Sequence, residues 1–360
     1  MQQDNNSRRS NKHTVRVPMS LPSLNQLRLC PVGMDGSGEK RKRDPDTAQV
    51  ISKLVRDATK NVVADLANAP AMLCLQDKRA SSLQAALRVF AYLKEHRNDG
   101  PNRGVSNQYD NKQDMERWEA AKERGEVLPV VAAFNNRMMA PMNEPLYRVY
   151  NRLYYLSYYV AREVGAERFF GRAGTRDNNL GLTVTYTDKY GTPDSNFGFH
   201  TDMPPQGVRQ HLPEYAQDWA MLTMVYYILD SDAEEQTKHR TGQGSTLYNL
   251  QSTQRGDANA EVAFCPLKNG SITVFDGTKW HAVGPNYGIG RGAVIHKCVL
   301  HKPWNFTRRW SHDEWWKKIQ QALLKMTCTR SEDFEVIRNG RAMLCDTLRP
   351  PSNAGEASNA

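Results

Sequence analysis

His200-Thr201-Asp202, with His281 far downstream, constrains the fold of this chain more than any other feature. In a strand, residues two apart point to the same side, so His200 and Asp202 reach one ion while Thr201 faces away. A third ligand must then come from elsewhere in the chain. His281 meets that requirement. It ends the run Gly270-Ser271-Ile272-Thr273-Val274-Phe275-Asp276-Gly277-Thr278-Lys279-Trp280, whose alternating β-branched and polar residues read as a strand and a turn. Two imidazoles and one carboxylate on one face of Fe(II) leave the opposite positions open for substrates. The same groups also hold catalytic zinc, so the ligand set by itself leaves the metal open. An H-x-D tripeptide alone is a weak signal, because histidine and aspartate co-occur on ordinary loops.

The segment beyond His281 narrows the chemistry. Ala282 to Gly290 form a turn rich in glycine and proline, and Arg291 then opens the apolar segment Gly292-Ala293-Val294-Ile295. An arginine aimed into a barrel interior is costly unless it meets an anion. Its planar fork matches the distal carboxylate of a dicarboxylic acid, and such charge-assisted pairs are worth about 1.5–3 kcal/mol. This points to a keto acid as co-substrate. A hydrolytic zinc site gives Arg291 no task.

Several blocks stand in order: Tyr186 and Gly191; the H-x-D tripeptide; Leu222-Thr223-Met224-Val225-Tyr226-Tyr227-Ile228-Leu229; Gly242-Gln243-Gly244-Ser245-Thr246-Leu247-Tyr248; Gly270 to Phe275; then His281, Pro285, Gly288 and Arg291. With these blocks the region from Leu182 to Ile295 resembles the 2-oxoglutarate and Fe(II)-dependent oxygenases, most closely the branch that looks like prolyl 4-hydroxylases. The resemblance implies a mainly β core, a double-stranded β-helix of the jelly-roll or cupin kind, buttressed by N-terminal helices and a C-terminal helix. It implies iron held by His200, Asp202 and His281. It also implies that Arg291 binds the 2-oxoglutarate C5 carboxylate, that Tyr227 donates a second hydrogen bond to it, and that Tyr186 lies near the keto-acid end. The implied co-substrates are 2-oxoglutarate and O2, with ascorbate as an accessory reductant. Oxidation of a substrate C–H bond is then coupled to decarboxylation of 2-oxoglutarate to succinate and CO2. Family members that halogenate resemble this pattern without the carboxylate, so Asp202 disfavours halogenation. In this chain the segment between Tyr186 and His200 is longer than is usual in that branch, and the glycine pair before the next strand is spaced as Gly242-Gln243-Gly244.

The flanks are less specific. Residues 1–45 are polar and basic and read as a disordered segment. Their Lys40-Arg41-Lys42-Arg43 run has the form of a nuclear address, although short basic runs are more often solvated surface. Residues 46–349 read as one catalytic domain: helical support over 46–175, the β-helix over 176–310 and a C-terminal helix over 311–349, with a tail at 350–360. Apolar residues recur at helical intervals over Val50–Leu66, Leu83–Leu93 and Asn143–Val164. The last of these carries a run of tyrosines, for which core packing with hydroxyls at the rim is a simpler account than base stacking. Ser311-His312-Asp313-Glu314 has the form of a helix-starting capping box. A chain of 360 residues can bury one substantial core. No apolar run approaches the roughly 18 residues of a membrane span, and the N-terminus lacks the apolar stretch of a secretory signal. The six cysteines, at 30, 74, 265, 298, 328 and 345, show no C-x-x-C spacing. A cytoplasmic enzyme with reduced thiols is expected.

A formal net charge of +9 would attract an anionic substrate or a nucleic-acid backbone. Nucleic-acid demethylases of the superfamily resemble one another in a second arginine six residues after the keto-acid arginine. Here that position is Lys297, which ranks nucleic acid below the other partners. Two substrate readings stand: a small anionic or amino-acid-like metabolite, oxidised by hydroxylation or by ring closure of the kainoid-synthase kind, and a proline-containing protein or peptide. A non-oxidative metal enzyme and a silent binding scaffold are the readings of other classes. Met203, Arg209, Trp280 and Asn249 are candidates for substrate contact. His296, five residues beyond Arg291 in one strand, is expected to face away from the site.

Overall fold

Short runs rich in β-branched and aromatic residues dominate the chain after residue 180, and they fold as strands. The computed structural model describes residues 72–97, 99, 105–107, 131–134, 138–169, 181–187, 199–202, 219–230, 242, 244–250, 260–284, 290–301 and 310–348. In chain order the elements are β1 (Met72–Asp77), α1 (Ala80–His96), β2 (Val105–Asn107), β3 (Val131–Phe134), α2 (Asn143–Val164), β4 (Glu167–Phe169), β5 (Gly181–Thr187) and β6 (Trp219–Leu229). There follow β7 (Thr246–Asn249), β8 (Glu261–Phe264), β9 (Ser271–Asp276), β10 (His281–Val283), β11 (Arg291–His301), α3 (His312–Thr329), β12 (Phe334–Ile337), β13 (Gly340–Met343) and the short α4 (Leu344–Leu348).

These strands make two antiparallel sheets. The larger runs β12-β1-β9-β6-β11-β5-β3-β2 with β4 also on β11, and the smaller runs β10-β7-β8-β13. From β5 to β11 the chain passes back and forth between them. β5, β6, β9 and β11 lie in the large sheet, whereas β7, β8 and β10 lie in the small one, joined by His200 through a bridge to His281. Two strand layers wound in this way are the expected double-stranded β-helix.

Strand alternation makes the large sheet a shared wall. Odd-numbered Val225, Tyr227, Phe275 and Ala293 pack with Tyr248 and Ala263 of the small sheet. Even-numbered Met224, Tyr226, Val294 and Cys298 pack with the helices through Phe90, Leu153 and Trp315. Burial on both faces explains why β6 is apolar nearly throughout instead of alternating. His296 faces the helices as its parity predicts, with Nε2 3.1 Å from Ser157 Oγ and the ring edge-on to Tyr150. The tyrosine run of α2 divides: Tyr150 packs on His296, while Tyr147 and Tyr158 are exposed. α2 ends on Gly165 in the left-handed region at φ 68°. α3 starts with the expected capping box, Ser311 Oγ accepting from Glu314 N at 3.2 Å and Glu314 Oε2 accepting from Ser311 N at 2.9 Å.

A buried ionic knot joins helices to sheet. Asp77, at the end of β1, is fully buried and is gripped by Arg152 of α2, with Nε 3.1 Å from Oδ2 and Nη2 2.9 Å from Oδ1. Tyr226 Oη lies 3.4 Å from Asp77 Oδ2, and the Arg152 guanidinium sits 4.1 Å over the Phe334 ring of β12. Arg79 makes a second fork, onto Asp333 at 2.7 and 2.9 Å.

The flanks differ from the sequence reading in two places. The part expected to be helical also contains β1 to β4, with β1 inserted between β9 and β12. Met72-Leu73-Cys74-Leu75 is too short and too uniformly apolar to show a period, and its partners lie some two hundred residues away (Met72 opposite Phe275). After α3 the chain returns as β12 beside β1 and β13 beside β8, where only a helix was expected. The basic segment 1–45, the Val50–Leu66 repeat and the tail lie outside the described residues. Among the described residues no helix is long and apolar enough to cross a membrane, and Cys74, Cys265 and Cys298 are buried free thiols.

Candidate metal centre

β10 is only three residues long, and its first residue is His281. His200 N donates to His281 O at 2.9 Å and His281 N to His200 O at 3.0 Å, a bridge that sets the two rings 4.3 Å apart. Thr201 and Asp202 belong to no strand, and it is the bond from Asp202 N to Gly277 O, at 2.6 Å, that brings the carboxylate in beside the two rings. One donor atom from each of His200, Asp202 and His281 lies within 4.8 Å of the others. His281 Nε2 is 3.6 Å from Asp202 Oδ2, and His200 Nε2 is 3.9 Å from Oδ1. An ion with bonds of about 2.1 Å needs neighbouring donors about 3 Å apart, so a modest inward turn of these side chains closes the set.

The surroundings favour ligand protonation states. His281 Nδ1 lies 2.9 Å from Lys279 O and donates to it, which leaves the Nε2 lone pair for a metal. Burial pushes the His281 imidazole down to about 4 and so keeps it neutral. Burial alone would push the Asp202 carboxyl up, but the adjacent Lys297 ammonium, helped by the Thr223 hydrogen bond, outweighs it and holds the group below its ordinary value. His200 is the open flank of the site, its side chain 38% exposed against 8% for Asp202 and 5% for His281.

Gly277 makes room for this arrangement. A Cβ there would stand 2.6 Å from Thr223 Oγ1, 2.9 Å from Asp202 Cβ and 3.0 Å from Asp202 Oδ2. Gly277→Ala is therefore expected to displace the carboxylate and weaken Fe(II) binding by about 10–100-fold, the usual penalty for disturbing a ligand's support. Anaerobic equilibrium dialysis reads that loss, and native affinity in the variant would disprove the close approach.

Arg291 opens β11 at the other end of the inner face and is buried. Its Nη1 donates to Gly244 O and its Nη2 to Thr187 Oγ1 at 3.2 Å, while Nε has no partner among the described residues. The guanidinium lies 5.8 Å from the Tyr227 ring centroid. Tyr227 Oη accepts from Thr246 N at 3.0 Å and shares a hydrogen bond with Thr246 Oγ1. On the inner face of β9, the Thr273 hydroxyl is also buried and faces Tyr227. Among the described residues no carboxylate pairs with Arg291, whose charge burial disfavours. A buried cation with neutral oxygens for partners and a spare N–H is a receptor for an anion. Gly242 and Gly244 both have positive φ, 75° and 71°, so the Gly-Gln-Gly spacing serves the turn that delivers the Gly244 carbonyl to Arg291.

Tyr186 does not belong to this group. Its parity in β5 places it on the helix-facing side, with its ring 5.7 Å from that of Phe90, and it is Thr187, opposite Arg291 in the ladder, that meets the guanidinium. Two residues were not assigned to the metal centre from the sequence. Thr223 and Lys297 are direct cross-strand partners on β6 and β11, and both reach Asp202: Thr223 Oγ1 donates to Oδ2 at 2.9 Å and Lys297 Nζ to Oδ1 at 2.5 Å. Lys297 shares the parity of Arg291, and that was the signal available for it. Of the suggested substrate contacts, Trp280 is half-buried beside His281. Met203, Arg209 and the Asn249 side chain lie outside the described residues.

No family model matches the chain, and no curated protein matches it. Among solved structures it is similar to the non-heme α-ketoglutarate-dependent epimerase SnoN from nogalamycin biosynthesis, at 13% identity over 70% of this chain and 86% of that one, with a TM-score of 0.39. It is similar to a Pseudomonas putida prolyl-4-hydroxylase at 12% identity, 68% and 98% coverage and a TM-score of 0.30. A Burkholderia pseudomallei oxidoreductase of the 2OG-Fe(II) oxygenase family gives 13% identity, 63% and 94% coverage and a TM-score of 0.25. The strand order, not these likenesses, carries the fold.

Proposed function

We propose that this chain is an Fe(II)- and 2-oxoglutarate-dependent oxygenase that oxidises an unactivated C–H bond of a small anionic or amino-acid-like metabolite. The observation that carries the reading is the pairing of two unlike sites on one inner wall: a His-Asp-His cluster at one end and a buried arginine without a carboxylate partner at the other. A hydrolytic zinc enzyme accounts for the first and leaves the second as an uncompensated cost.

His200, Asp202 and His281 would hold the iron, which when bound supplies oxygen activation coupled to conversion of 2-oxoglutarate to succinate and CO2. The protein's own residues do the rest. Arg291, with Nε free, grips the C5 carboxylate alongside the Tyr227 hydroxyl. Val225, Phe275 and Ala293 line the wall between the two ends and keep water from it. His281 stays neutral and aimed through its Lys279 contact, and the exposed edge of His200 marks the side from which substrate approaches.

Anaerobic titration with Fe(II) and 2-oxoglutarate tests this directly, because a chelated keto acid gives a weak visible charge-transfer band. No band despite bound metal would put the hydrolytic reading first. Arg291→Gln should raise the 2-oxoglutarate dissociation constant by about 10- to 100-fold, since one charge-assisted pair of about 1.5–3 kcal/mol is lost. Pyruvate, which lacks the distal carboxylate, should bind native and variant alike; equal losses for both acids would remove Arg291 from the role.

A further inference from the structure

Both oxygens of Asp202 already have protein partners, and the two partners are unlike. Thr223 Oγ1 donates to Oδ2, the oxygen that faces His281 Nε2 at 3.6 Å. A hydroxyl takes one lone pair and leaves the other for a metal. Oδ1 instead receives the Lys297 ammonium at 2.5 Å. It also faces His200 Nε2 at 3.9 Å, so both oxygens of this carboxylate look toward the ligand set. Left alone, such a carboxylate can bind a metal through one oxygen or through two. Lys297 is fixed for its contact by the β6–β11 ladder, where Thr223 is its opposite residue, and its side chain is only 18% exposed. A carboxylate that spread over both oxygens would use up one of the open positions on which a facial site depends.

We propose that Lys297 is a positioning residue that reserves Asp202 Oδ1, so that the carboxylate ligates iron through Oδ2 alone and three coordination positions stay open for a chelating keto acid and dioxygen. The inference rests on the proposed iron and 2-oxoglutarate chemistry. The lysine works by charge as well as by hydrogen bond, because an ammonium beside Oδ1 repels a dication approaching that oxygen. Arginine supplies the same charge and donors. Methionine supplies the length of the stem and neither of these.

The test uses the full chain and its Lys297→Met and Lys297→Arg variants under anaerobic conditions. Co(II) is added first without keto acid, and its pulsed electron-paramagnetic-resonance spectrum in D2O counts the waters bound to the ion, because a second carboxylate oxygen would displace one of them. Expected for Lys297→Met are metal affinity equal to or above native, one water fewer on Co(II) before any keto acid is present, and a rise of about tenfold or more in the 2-oxoglutarate dissociation constant measured by the Fe(II) charge-transfer band, on the scale of lost ligand support. Lys297→Arg should return all three toward native. An unchanged Co(II) spectrum with weakened 2-oxoglutarate binding would overturn the proposal in favour of a direct contact between Lys297 and the keto acid. Reduced metal affinity with normal 2-oxoglutarate binding would overturn it in favour of simple orientation of the carboxylate. Should Lys297→Met fail to fold, Lys297→Gln replaces it and is judged by the same spectrum. Absence of any band in the native protein would instead sink the iron and 2-oxoglutarate reading, an outcome separate from a variant that differs from a competent parent.

Discussion

Asp202→Ala should yield a folded protein that holds iron at least about 100-fold less tightly than native and shows no turnover above background. Loss of a mere supporting partner already costs about 10–100-fold in metal affinity, and here the anionic ligand itself is gone. Its removal also leaves the Lys297 ammonium facing the cluster without its carboxylate, adding repulsion where attraction stood. The fold should survive because Asp202 sits at the edge of the small sheet and outside the ionic knot of the helices. Metal content, thermal unfolding and 2-oxoglutarate consumption, measured on one preparation, separate lost chemistry from lost structure. Wild-type oxidation by this variant would end the metal assignment.

Asp77→Ala should act on stability instead, by about 3–5 kcal/mol, the usual result of breaking a buried ion pair from one side. The Arg152 guanidinium would stay buried with its fork facing a methyl group, and Tyr226 would lose an acceptor. Against a total stability of about 5–15 kcal/mol, that loss is a large share of the whole. It should appear as a lower denaturant midpoint with an unchanged slope. Replacing both partners, as in Asp77→Leu with Arg152→Met, should recover most of it, because an apolar pair leaves no charge unpaired. A double variant as unstable as the single one would show that the knot acts through something other than pairing.

The parts of the site that could be read from the sequence were those set by local rules. The two-residue spacing of His200 and Asp202 brings both to one cluster, Arg291 opens its strand after a run rich in glycine and proline, and Ser311 to Glu314 caps its helix, each within a few residues. What depended on pairing was hidden. Tyr186 and Thr187 are equally plausible beside a buried arginine until the ladder shows Thr187 opposite Arg291 and Tyr186 opposite Gly292. Lys297 could be placed on the inner face by parity, but Asp202 as its partner follows only from the way β10 and His200 close the small sheet beside it. β1 was invisible for a similar reason: its flanking strands, β9 and β12, come from the far end of the chain.

The two ends of the inner wall are separated along unbroken backbone. Thr223 and Tyr227 stand four residues apart on β6, and Lys297 and Arg291 six apart on β11, which is roughly 13 and 20 Å of extended chain. In the proposed oxygenase, side chains reaching in from these two fixed ends would set the span open to the diacid. A dicarboxylic keto acid shorter by one carbon, held by its keto end at the cluster, would then leave the guanidinium short of its charge. On that reading the choice of co-substrate would be built into two neighbouring strands, β6 and β11.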